Sequence, residues 1–337
     1  KYLPRRADRK WLEFVFGTPR YSHSLKAAQK ALIEPIWNFL DRGGKRWRSV
    51  LFLLVTEAIG GNVEKVKDFA VIPELVHQGS LIVDDIEDQG ELRRGLPCLH
   101  RIFGIDIAIN AGNFIYFLPL LVLAKNKKRF KPEVLARAYE IYIQEMINLS
   151  LGQGTDIFWH KGKAENISQN EFIQMCSFKT GCLSRMAAKL AVALSGGSEK
   201  LIEKFGRVAE AIGVAFQIQD DILDLTLSGK ERKKFGKSFG NDIKEGKRTL
   251  MVIHALKKAK KEDKERLIKI LDKHTSNPDE KIEAIEIIKK QGSIEYAQKV
   301  SQNIIKESWE GLEKLLPLSD AKEKLNRLID YLIERRK

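Results

Sequence analysis

Apolar side chains recur every three or four residues along almost the whole chain, a spacing that predicts α-helices. The predicted helices cover Ala28–Leu40, Val50–Ile59, Phe69–Asp88, Ile105–Lys125, Pro132–Gly152, Ser168–Leu194, Glu199–Leu225, Thr249–Ala259 and further segments from Asp279 onward. Connections are predicted where glycine, asparagine and serine gather, as at Gly60-Gly61-Asn62 and Ser195–Ser198. No convincing period-two alternation indicates a strand, and the sequence carries no repeat typical of solenoids.

Several of these helices are apolar on more than one face, so they belong inside a bundle. Glycine and proline are scarce, at 24 and 9 of 337 residues, and hydrophobic residues make up 43% of the chain. This composition favours helices over a sandwich or barrel of short strands. No connection is long enough to divide the chain. We therefore predict an all-α fold, with residues 1–337 in a single domain of long helices around a central cavity.

The formal net charge of +14 would suit nucleic acid, an anionic membrane or a polyanionic small substrate. Much of the excess lies in stretches such as Lys257–Lys273, where both signs alternate as on a solvated helix face. No nucleic-acid-binding motif accompanies the charge, so we predict no nucleic-acid partner.

Three cysteines, Cys98, Cys176 and Cys182, are too few and too scattered for a disulfide framework or a zinc site. They fit a reducing compartment, and we expect a cytoplasmic protein. The longest apolar run, Phe114–Ala124, is shorter than the roughly 20 residues of a membrane span. We expect a buried core helix there and no transmembrane segment.

The most distinctive local pattern is Asp84-Asp85-Ile86-Glu87-Asp88, which follows the apolar stretch Leu75–Val83. On a helix, Asp84 and Asp88 project side by side. Repelling carboxylates at the negative end of a helix dipole are unfavourable unless a cation offsets them. Paired hard oxygen ligands suit Mg²⁺, which completes its shell with water and phosphate oxygens.

A second cluster repeats the pattern. Asp220-Asp221-Ile222-Leu223-Asp224 follows the apolar run Ala209–Ile218. One such cluster is as readily an exposed helix end as a site. Two of them indicate facing walls of one cavity with metal ions between them.

Three basic groups complete the pattern. Gly43-Gly44-Lys45-Arg46-Trp47-Arg48 is predicted to begin a helix with Lys45 and Arg48 on one face; Arg93-Arg94-Gly95 follows the first cluster; Lys237 and Lys247 lie in a glycine-rich segment. Arginine forks and lysine point charges are what a diphosphate needs. The GxxxxGK[ST] loop of P-loop proteins is absent. Together these groups predict a pocket for two diphosphates.

These stretches resemble the trans-prenyl (polyprenyl) diphosphate synthase family, and geranylgeranyl diphosphate synthases most closely in pattern. The matching segments occur in the family's order: GGKRWR (43–48), ELVHQGSLIVDDIEDQGELRRGLPCLH (74–100), FKTG (178–181), FQIQDDILDL (216–225) and GKSFGNDIKEGKRTL (236–250). The resemblance implies an isoprenoid-synthase-type fold, a homodimer, and condensation of isopentenyl diphosphate with dimethylallyl, geranyl or farnesyl diphosphate.

The resemblance also implies roles, residue by residue. Three Mg²⁺ ions on the allylic diphosphate would be held by Asp84, Asp88 and Asp220. Waters and outer contacts of these ions would involve Asp85, Asp221 and Asp224. The allylic diphosphate would be bound by Arg93, Lys179, Lys237 and Lys247. Isopentenyl diphosphate would be bound by Lys45, Arg48, His77 and Arg94. Other branches of the family carry glutamine at the position of His77, and either side chain can donate a hydrogen bond.

The implied mechanism is ionisation of the allylic diphosphate to a carbocation, which the isopentenyl double bond attacks. The Lys179 carbonyl, the Thr180 hydroxyl and the Gln217 amide oxygen would direct negative dipole ends at the cation. The departing diphosphate would remove a proton. The segment Ser228–Gly246 is expected to act as a lid that excludes water.

Product length is expected to depend on the residues one or two turns before Asp84, because a helical turn of about 5.4 Å is comparable to an isoprene unit. Ser80 and Gly79 are small there, unlike the aromatics of animal-type farnesyl synthases, so the tunnel should admit more than fifteen carbons. Deeper candidates for its floor are Val76, Phe114, Tyr116 and Phe117. We predict a twenty-carbon product, with fifteen or twenty-five as alternatives.

Other interpretations stay open at this stage. The first cluster also fits the DxxED pattern of a head-to-head synthase or terpene cyclase, although a cyclase leaves the isopentenyl-binding cations unexplained. A non-catalytic subunit of a heteromeric synthase is another alternative. Such subunits usually lose an aspartate cluster, and both clusters are intact here.

Overall fold

The computed structural model describes residues 2–163, 166–227 and 239–334. In its first half the helices are α1 (Arg9–Phe16), α2 (Leu25–Ala28), α3 (Glu34–Leu40), α4 (Trp47–Ala58), α5 (Val63–Val66), α6 (Val71–Glu87), α7 (Leu99–Phe103), α8 (Ile105–Lys125) and α9 (Pro132–Phe158). In its second half they are α10 (Gln169–Cys176), α11 (Cys182–Leu194), α12 (Glu199–Thr226), α13 (Asn241–Lys244), α14 (Leu250–Lys258), α15 (Lys261–Asp272), α16 (Pro278–Lys290), α17 (Ser293–Glu313) and α18 (Asp320–Glu334).

The prediction of an all-α fold is confirmed for this part of the chain. Its one sheet is a short antiparallel hairpin of β1 (Leu92–Arg93) and β2 (Leu96–Pro97). The helix predicted over Ile105–Lys125 has those bounds as α8. The helix predicted to end at Gly152 continues to Phe158 as part of α9. Gly152 does not end the helix; it allows the α9 backbone to lie against the backbone at Lys179.

The segment predicted as one helix over Ser168–Leu194 consists of α10, a π-helical segment Ser177–Gly181, and α11. A capping box opens α10: the Ser168 hydroxyl accepts from the Glu171 N–H at 3.2 Å, and the Glu171 carboxylate accepts from the Ser168 N–H at 2.7 Å. The π-helical turn adds one residue to the local repeat and rotates the side chains that follow.

The centre of the bundle is α11, in which every residue except Lys189 is buried. It packs against α4, α9 and α12. Alanines at 187, 188, 191 and 193 give this helix a slim surface, so that three neighbours can approach it closely. The long helices around α11 leave their polar C-terminal turns at one end of the bundle, where the acidic clusters lie.

Three glycines, Gly79, Gly152 and Gly213, bring backbones into contact around that end. A Cβ added to Gly79 of α6 would lie 3.1 Å from the carbonyl oxygen of Gly112 in α8. A Cβ on Gly152 of α9 would lie 2.3 Å from the Lys179 nitrogen, and one on Gly213 of α12 would lie 2.6 Å from the Gly181 Cα. The π-helical segment is therefore held between the backbones of α9 and α12.

The apolar helix α8 is long enough and apolar enough to span a membrane by length and composition, with a mean hydropathy of 1.9 over its best window. The whole helix therefore reaches the length of a membrane span, although the apolar run 114–124 within it does not. Of that window 44% is buried, and α8 packs on α6, α7 and α3. Core helices of soluble proteins share this composition.

The close contact at Gly213 predicts a specific cost. Gly213→Ala would force its methyl group against the Gly181 backbone and the Ser184 hydroxyl, which lies 2.9 Å from the added carbon. We expect a loss of about 1–3 kcal/mol of unfolding free energy, as for overpacked cores. Urea unfolding followed by circular dichroism measures it.

The matched control is Gly311→Ala on α17, where an added Cβ meets no atom within 4 Å. That variant should be as stable as the parent or more stable by up to about 1 kcal/mol, because alanine is the better helix former. A Gly213→Ala protein as stable as the parent would contradict the backbone contact.

Candidate active site

One cavity of about 840 Å³ opens between α6, α8, α9, α11 and α12. Polar side chains line it near the C-terminal ends of α6 and α9, among them Asp84, Asp156, Lys179, Gln217, Asp220 and Lys247. Apolar side chains line the rest, among them Tyr116, Phe117, Leu120, Tyr142, Met146 and Leu183. A charged end and an apolar body suit a ligand with a polyanionic head and a hydrocarbon tail.

Asp84, on the last turn of α6, contacts two cations and an amide. It lies 3.3 Å from the Lys179 ammonium and 3.2 Å from the Arg93 guanidinium, and accepts from the Gln153 amide at 3.1 Å. Burial alone would raise the pKa of Asp84, but the charges of Lys179, Lys247 and Arg93 outweigh it and hold the pKa well below its ordinary value. Asp84 is therefore ionised at neutral pH.

Asp88 differs sharply from Asp84. Burial and the neighbouring charge of Asp84 raise the pKa of Asp88 to about 7, although Lys247 lies 3.6 Å away. The Oδ1 atom of Asp88 is buried and has no hydrogen-bond partner among the described residues. An acid so placed is costly to ionise unless a further cation approaches it. The residue fits a role as a metal ligand for this reason.

Asp85 turns away from the cavity. Its carboxylate accepts a hydrogen bond from Arg93 Nε at 2.7 Å, and the residue is 2% exposed. Burial lowers the pKa of Arg93, but the charges of Asp85 and Asp84 more than reverse this. Asp85 therefore fixes the guanidinium that also reaches Asp84.

In the second cluster, Asp220 and Asp221 line the same cavity as Asp84, whereas Asp224 is fully buried. Asp224 accepts from the backbone N–H of Asp242 at 3.0 Å and so ties α12 to the start of α13. Thr180 donates to the Gln217 amide oxygen at 2.8 Å, and the Gln217 amide nitrogen donates to Asp221 at 2.8 Å. The amide oxygen expected to face a cation is thus already polarised by Thr180.

Within the ranges that the structure describes, no three acidic, histidine or cysteine side chains converge on one point. The two clusters share a cavity, but cations lie among the carboxylates of the first. Lys179 and Arg93 contact Asp84, and Lys247 contacts Asp88. The number of metal ions, three, stays a prediction.

Gln153 and Asp156 belong to this site, and sequence reasoning missed them. Lys179 donates to Asp156 at 2.6 Å, and Gln153 bridges Asp84 and Glu87, the latter at 2.7 Å. Burial would raise the pKa of Asp156, but Lys179 and Lys247 lower it below its usual value. The available signal was the i, i+3 spacing of Gln153 and Asp156 beside Gly152 at the end of a long helix.

Lys247, predicted as a supporting cation, lies among three carboxylates. Its ammonium is 2.6 Å from Glu245, 3.6 Å from Asp88 and 3.8 Å from Asp242. The other predicted cation of this segment, Lys237, lies outside the described residues, as does most of the expected lid.

The four side chains predicted for the second diphosphate divide into two pairs. Arg48 and His77 line the cavity. Arg48 is 4% exposed, and its Nε has no hydrogen-bond partner in the described part of the chain. Burial is the main cause that holds the pKa of His77 well below its ordinary value, and the positive charges of Arg48 and Arg94 lower this pKa further. His77 is therefore neutral at pH 7.

Lys45 and Arg94 do not line the cavity in this conformation. The prediction that Lys45 and Arg48 share a helical face is wrong, because Arg46 adopts a left-handed conformation (φ 51°) and α4 begins only at Trp47. The Lys45 ammonium lies 5.7 Å from the Phe216 ring, and Arg94 donates to the Gly43 carbonyl oxygen. Lys45 lies on the loop before α4, and Arg94 lies in the turn between β1 and β2.

Of the positions predicted to set product length, Ser80 lines the cavity. Gly79 packs against α8, where a Cβ would lie 3.3 Å from the Tyr116 ring. Val76 is fully buried in the main core and lies outside the lining. Tyr116 and Phe117 line the cavity. Phe114 does not; its ring centroid lies 5.9 Å from that of Phe16, with the two rings tilted.

Comparison with known proteins agrees with this geometry. The chain is 35% identical over 308 residues to the short chain isoprenyl diphosphate synthase of Methanothermobacter thermautotrophicus, covering 91% of each chain. Its structure is similar to the geranylgeranyl pyrophosphate synthetase of Pyrococcus horikoshii (TM-score 0.82, 36% identity, 91% of this chain and 90% of that one).

It is also similar to the geranylgeranyl pyrophosphate synthase of Corynebacterium glutamicum, solved with isoprenyl diphosphate and magnesium (TM-score 0.81, 25% identity, 93% and 91% covered). These similarities confirm the isoprenoid-synthase type of fold. The family model described as polyprenyl synthetase matches residues 29–288. The chain therefore belongs to the polyprenyl synthetase family.

Proposed function

We propose that this protein condenses isopentenyl diphosphate with allylic diphosphates to give a trans-prenyl diphosphate, with the twenty-carbon geranylgeranyl diphosphate as its main product. Membership of the polyprenyl synthetase family makes the chain a prenyltransferase. The observation that carries the finer proposal is the cavity itself, whose charged end joins an apolar body, with the small Ser80 and not an aromatic side chain lining it one turn before Asp84. The Pyrococcus and Corynebacterium relatives are both geranylgeranyl pyrophosphate synthases.

We assign Asp84, Asp88 and Asp220 to divalent cations, with Mg²⁺ as the ion. The unpartnered buried oxygen of Asp88 supports this assignment, as does the relative solved with magnesium. A bound Mg²⁺ neutralises diphosphate charge and makes the diphosphate a better leaving group. Asp85, Asp221 and Asp224 hold Arg93, Gln217 and the α13 backbone in place.

The cations of the site are proposed to bind the two diphosphates. Lys179, Arg93 and Lys247 hold carboxylates in this structure, and their charges lie where an allylic diphosphate would meet the aspartates. Arg48 and His77 would hold isopentenyl diphosphate from the cavity wall, with Lys45 and Arg94 reaching it from their loop and turn. Lys237 keeps its proposed role on the sequence pattern alone.

The polar groups on α12 and the π-helical segment are proposed to stabilise the carbocation. Thr180 and Gln217 line the cavity between the charged end and the apolar body. Their hydrogen-bond chain to Asp221 transmits negative charge toward the amide oxygen without placing a nucleophile at the cation. The apolar walls exclude the water that would quench the cation.

We also propose a homodimer. Exposed apolar side chains recur every fourth residue or every second turn on α8 and α9, with exposed fractions from 41% to 69%: Ile105, Ile109, Phe117, Ile143, Ile147 and Leu151. Phe117, Ile143 and Ile147 also line the cavity. Exposed apolar side chains at this spacing on two helices in contact are typical of a protein–protein interface. A two-fold contact would bury these side chains against a second copy of the chain.

A cytoplasmic location is proposed from the cysteines. Cys98, Cys176 and Cys182 are all buried free thiols. Such residues behave as small apolar side chains and need no oxidising compartment.

The function predicts strict dependence on Mg²⁺ and on both aspartate clusters. With radiolabelled isopentenyl diphosphate and each allylic primer, the protein should form an extractable, acid-labile product that EDTA abolishes. Asp84→Asn and Asp220→Asn should each lower turnover by at least about 100-fold, the size of effect seen when transition-state electrostatics are removed. Scintillation counting of the extract measures turnover.

Asp68→Asn is the matched control, because Asp68 lies just before α6, at the end of that helix far from the site, and contacts Arg129. It should retain full turnover. Circular dichroism must show all three variants folded. Absence of product with every primer would refute the proposed enzymatic function. Normal turnover in Asp220→Asn would refute the proposal that both aspartate clusters form one active site.

Ser80→Phe should shorten the product. A phenyl group at this lining position would fill the cavity about one turn from Asp84, which is comparable to the length of one isoprene unit. We expect fifteen-carbon product to replace most of the twenty-carbon product in reversed-phase thin-layer chromatography of the dephosphorylated prenols. Val71→Phe, on an exposed position of the same helix, should leave the distribution unchanged. An unchanged profile in Ser80→Phe would count against the assignment.

Leu151→Glu should dissociate the dimer. The side chain is 58% exposed at the C-terminal end of the α9 face and lies outside the cavity lining, so a charge there should disrupt association without reaching the site. Light scattering coupled to size exclusion should give a dimer mass for the parent and a monomer mass for the variant. Ile282→Glu, 49% exposed on α16, is the control and should remain dimeric. A monomeric parent would refute this proposal.

A further inference from the structure

The hairpin that follows the first acidic cluster is too small to hold its own position. It consists of two residue pairs, Leu92 with Pro97 and Arg93 with Leu96. Arg94 and Gly95 form its two-residue turn, both with positive φ (55° and 78°), as a type I′ turn requires. An isolated two-stranded hairpin is marginal in water. Its placement must come from contacts with the rest of the chain.

The two arginines of this hairpin point to different parts of the site. Arg93 contacts Asp84 and Asp85 at the allylic side. Arg94 donates to the carbonyl oxygen of Gly43, and its guanidinium lies so close to Gly44 that an added Cβ would be 2.9 Å from it. Adjacent residues thus reach the metal-binding cluster and the glycine loop that carries Lys45.

Arg42 holds the backbone of both strands. Its Nη1 donates to the Pro97 carbonyl oxygen at 2.8 Å and lies at 3.5 Å, the limit of a hydrogen bond, from the Arg93 carbonyl oxygen. At its other edge, Nη2 donates to the Asn38 side-chain oxygen at 2.7 Å and Nε to the Asn38 carbonyl oxygen at 3.3 Å. One guanidinium therefore connects α3 to the hairpin.

The geometry requires an arginine. The donors on two edges of the planar group are used at once, which a single lysine ammonium on a flexible stem cannot reproduce. Arg42 does not line the cavity, so it is not itself placed to bind a diphosphate. It also directly precedes the glycine loop, so the same residue links the loop and the hairpin by covalent and hydrogen bonds.

We infer that Arg42 is a positioning residue that fixes the 92–97 hairpin against α3 and thereby aligns the two diphosphate sites with each other. This inference rests on the proposed roles of Arg93 and Arg94. Loss of the bridge should let both arginines shift together, and misplacement of binding groups by a fraction of an ångström weakens charged hydrogen bonds strongly.

The test compares Arg42→Lys and Arg42→Gln with the parent in steady-state kinetics. We expect KM to rise about tenfold for both isopentenyl diphosphate and the allylic primer, the size expected when hydrogen bonds to a charged group are lost. The kcat at saturation should stay within about twofold of the parent's value, because bound substrates still react.

Arg42→Lys should raise KM as much as Arg42→Gln does. The lysine keeps the positive charge but cannot bridge Asn38 and the hairpin, and the bridge is what the inference requires. Asn38→Ala, which removes one acceptor of Arg42, should shift KM in the same direction by less.

Arg5→Lys and Arg5→Gln are the matched controls. Arg5 bonds Asp41, the neighbour of Arg42, and stacks over Trp37 at 3.8 Å, but it touches neither strand. These variants should keep the parent's KM values. A purely structural role for Arg42 would reduce the active fraction, lowering kcat with KM unchanged, and that result would overturn the inference. A normal KM in Arg42→Lys would overturn it as well.

Hydrogen exchange separates failure of this inference from failure of the proposed function. The Cys98 N–H donates to the Glu91 carbonyl oxygen at 3.0 Å and closes the base of the hairpin. In the full-length Arg42→Gln protein, peptides covering residues 91–98 should exchange faster than in the parent, while those of α11 should not change. Unchanged exchange at 91–98 would refute the positioning role, whether or not the parent proves to be a synthase.

Discussion

The ion pair on which the site depends joins Lys179 to both Asp84 and Asp156. It connects three elements: the end of α6, the end of α9 and the π-helical segment between α10 and α11. A buried ammonium is costly unless carboxylates surround it, and a buried carboxylate is costly without a cation. Lys179 therefore stabilises the ionised form of both carboxylates, and the two carboxylates stabilise its ammonium. The charges of Lys179, Asp84 and Asp156 are thus already in place to interact with a more highly charged ligand.

That ion pair is possible only because backbones approach unusually closely around it. Gly152 lets the α9 backbone lie against the Lys179 nitrogen, and Gly213 lets α12 lie against Gly181. The π-helical turn then presents Lys179 and Thr180 to the cavity, while Ser177 lies buried outside the cavity lining. Local helix geometry, and not a flexible loop, sets the position of the lysine. Rigid placement of this kind is what electrostatic catalysis needs, since the charges must not reorganise during reaction.

The sequence predicted much of this arrangement, and its failures have physical causes. Helical periodicity located the long helices, and the repeated aspartate pattern located two walls of the cavity. The π-helical turn was not predictable, because Ser177–Gly181 fits the same apolar period as its flanks and tertiary contacts select the wider turn. The predicted helix ends at Gly152, because the tertiary contact of this glycine cannot be seen in the sequence. Asp156 was missed because a lone acid on a helix is common, and only its contact with Lys179 distinguishes it.

The division of the cavity into a charged end and an apolar body also explains how one fold serves different products. The proposed chemistry uses no protein nucleophile, so under it the charged end must keep its geometry whatever chain is attached. The apolar body contacts only hydrocarbon, and its shape changes when single side chains such as Ser80 or Tyr116 change volume. Because α6 carries Asp84 at its end and Ser80 one turn earlier, the proposed roles of these two residues make one helix fix the start of the reacting chain and limit its length. A shift of α6 would disturb both properties, whereas a substitution at Ser80 should alter length and leave ionisation intact.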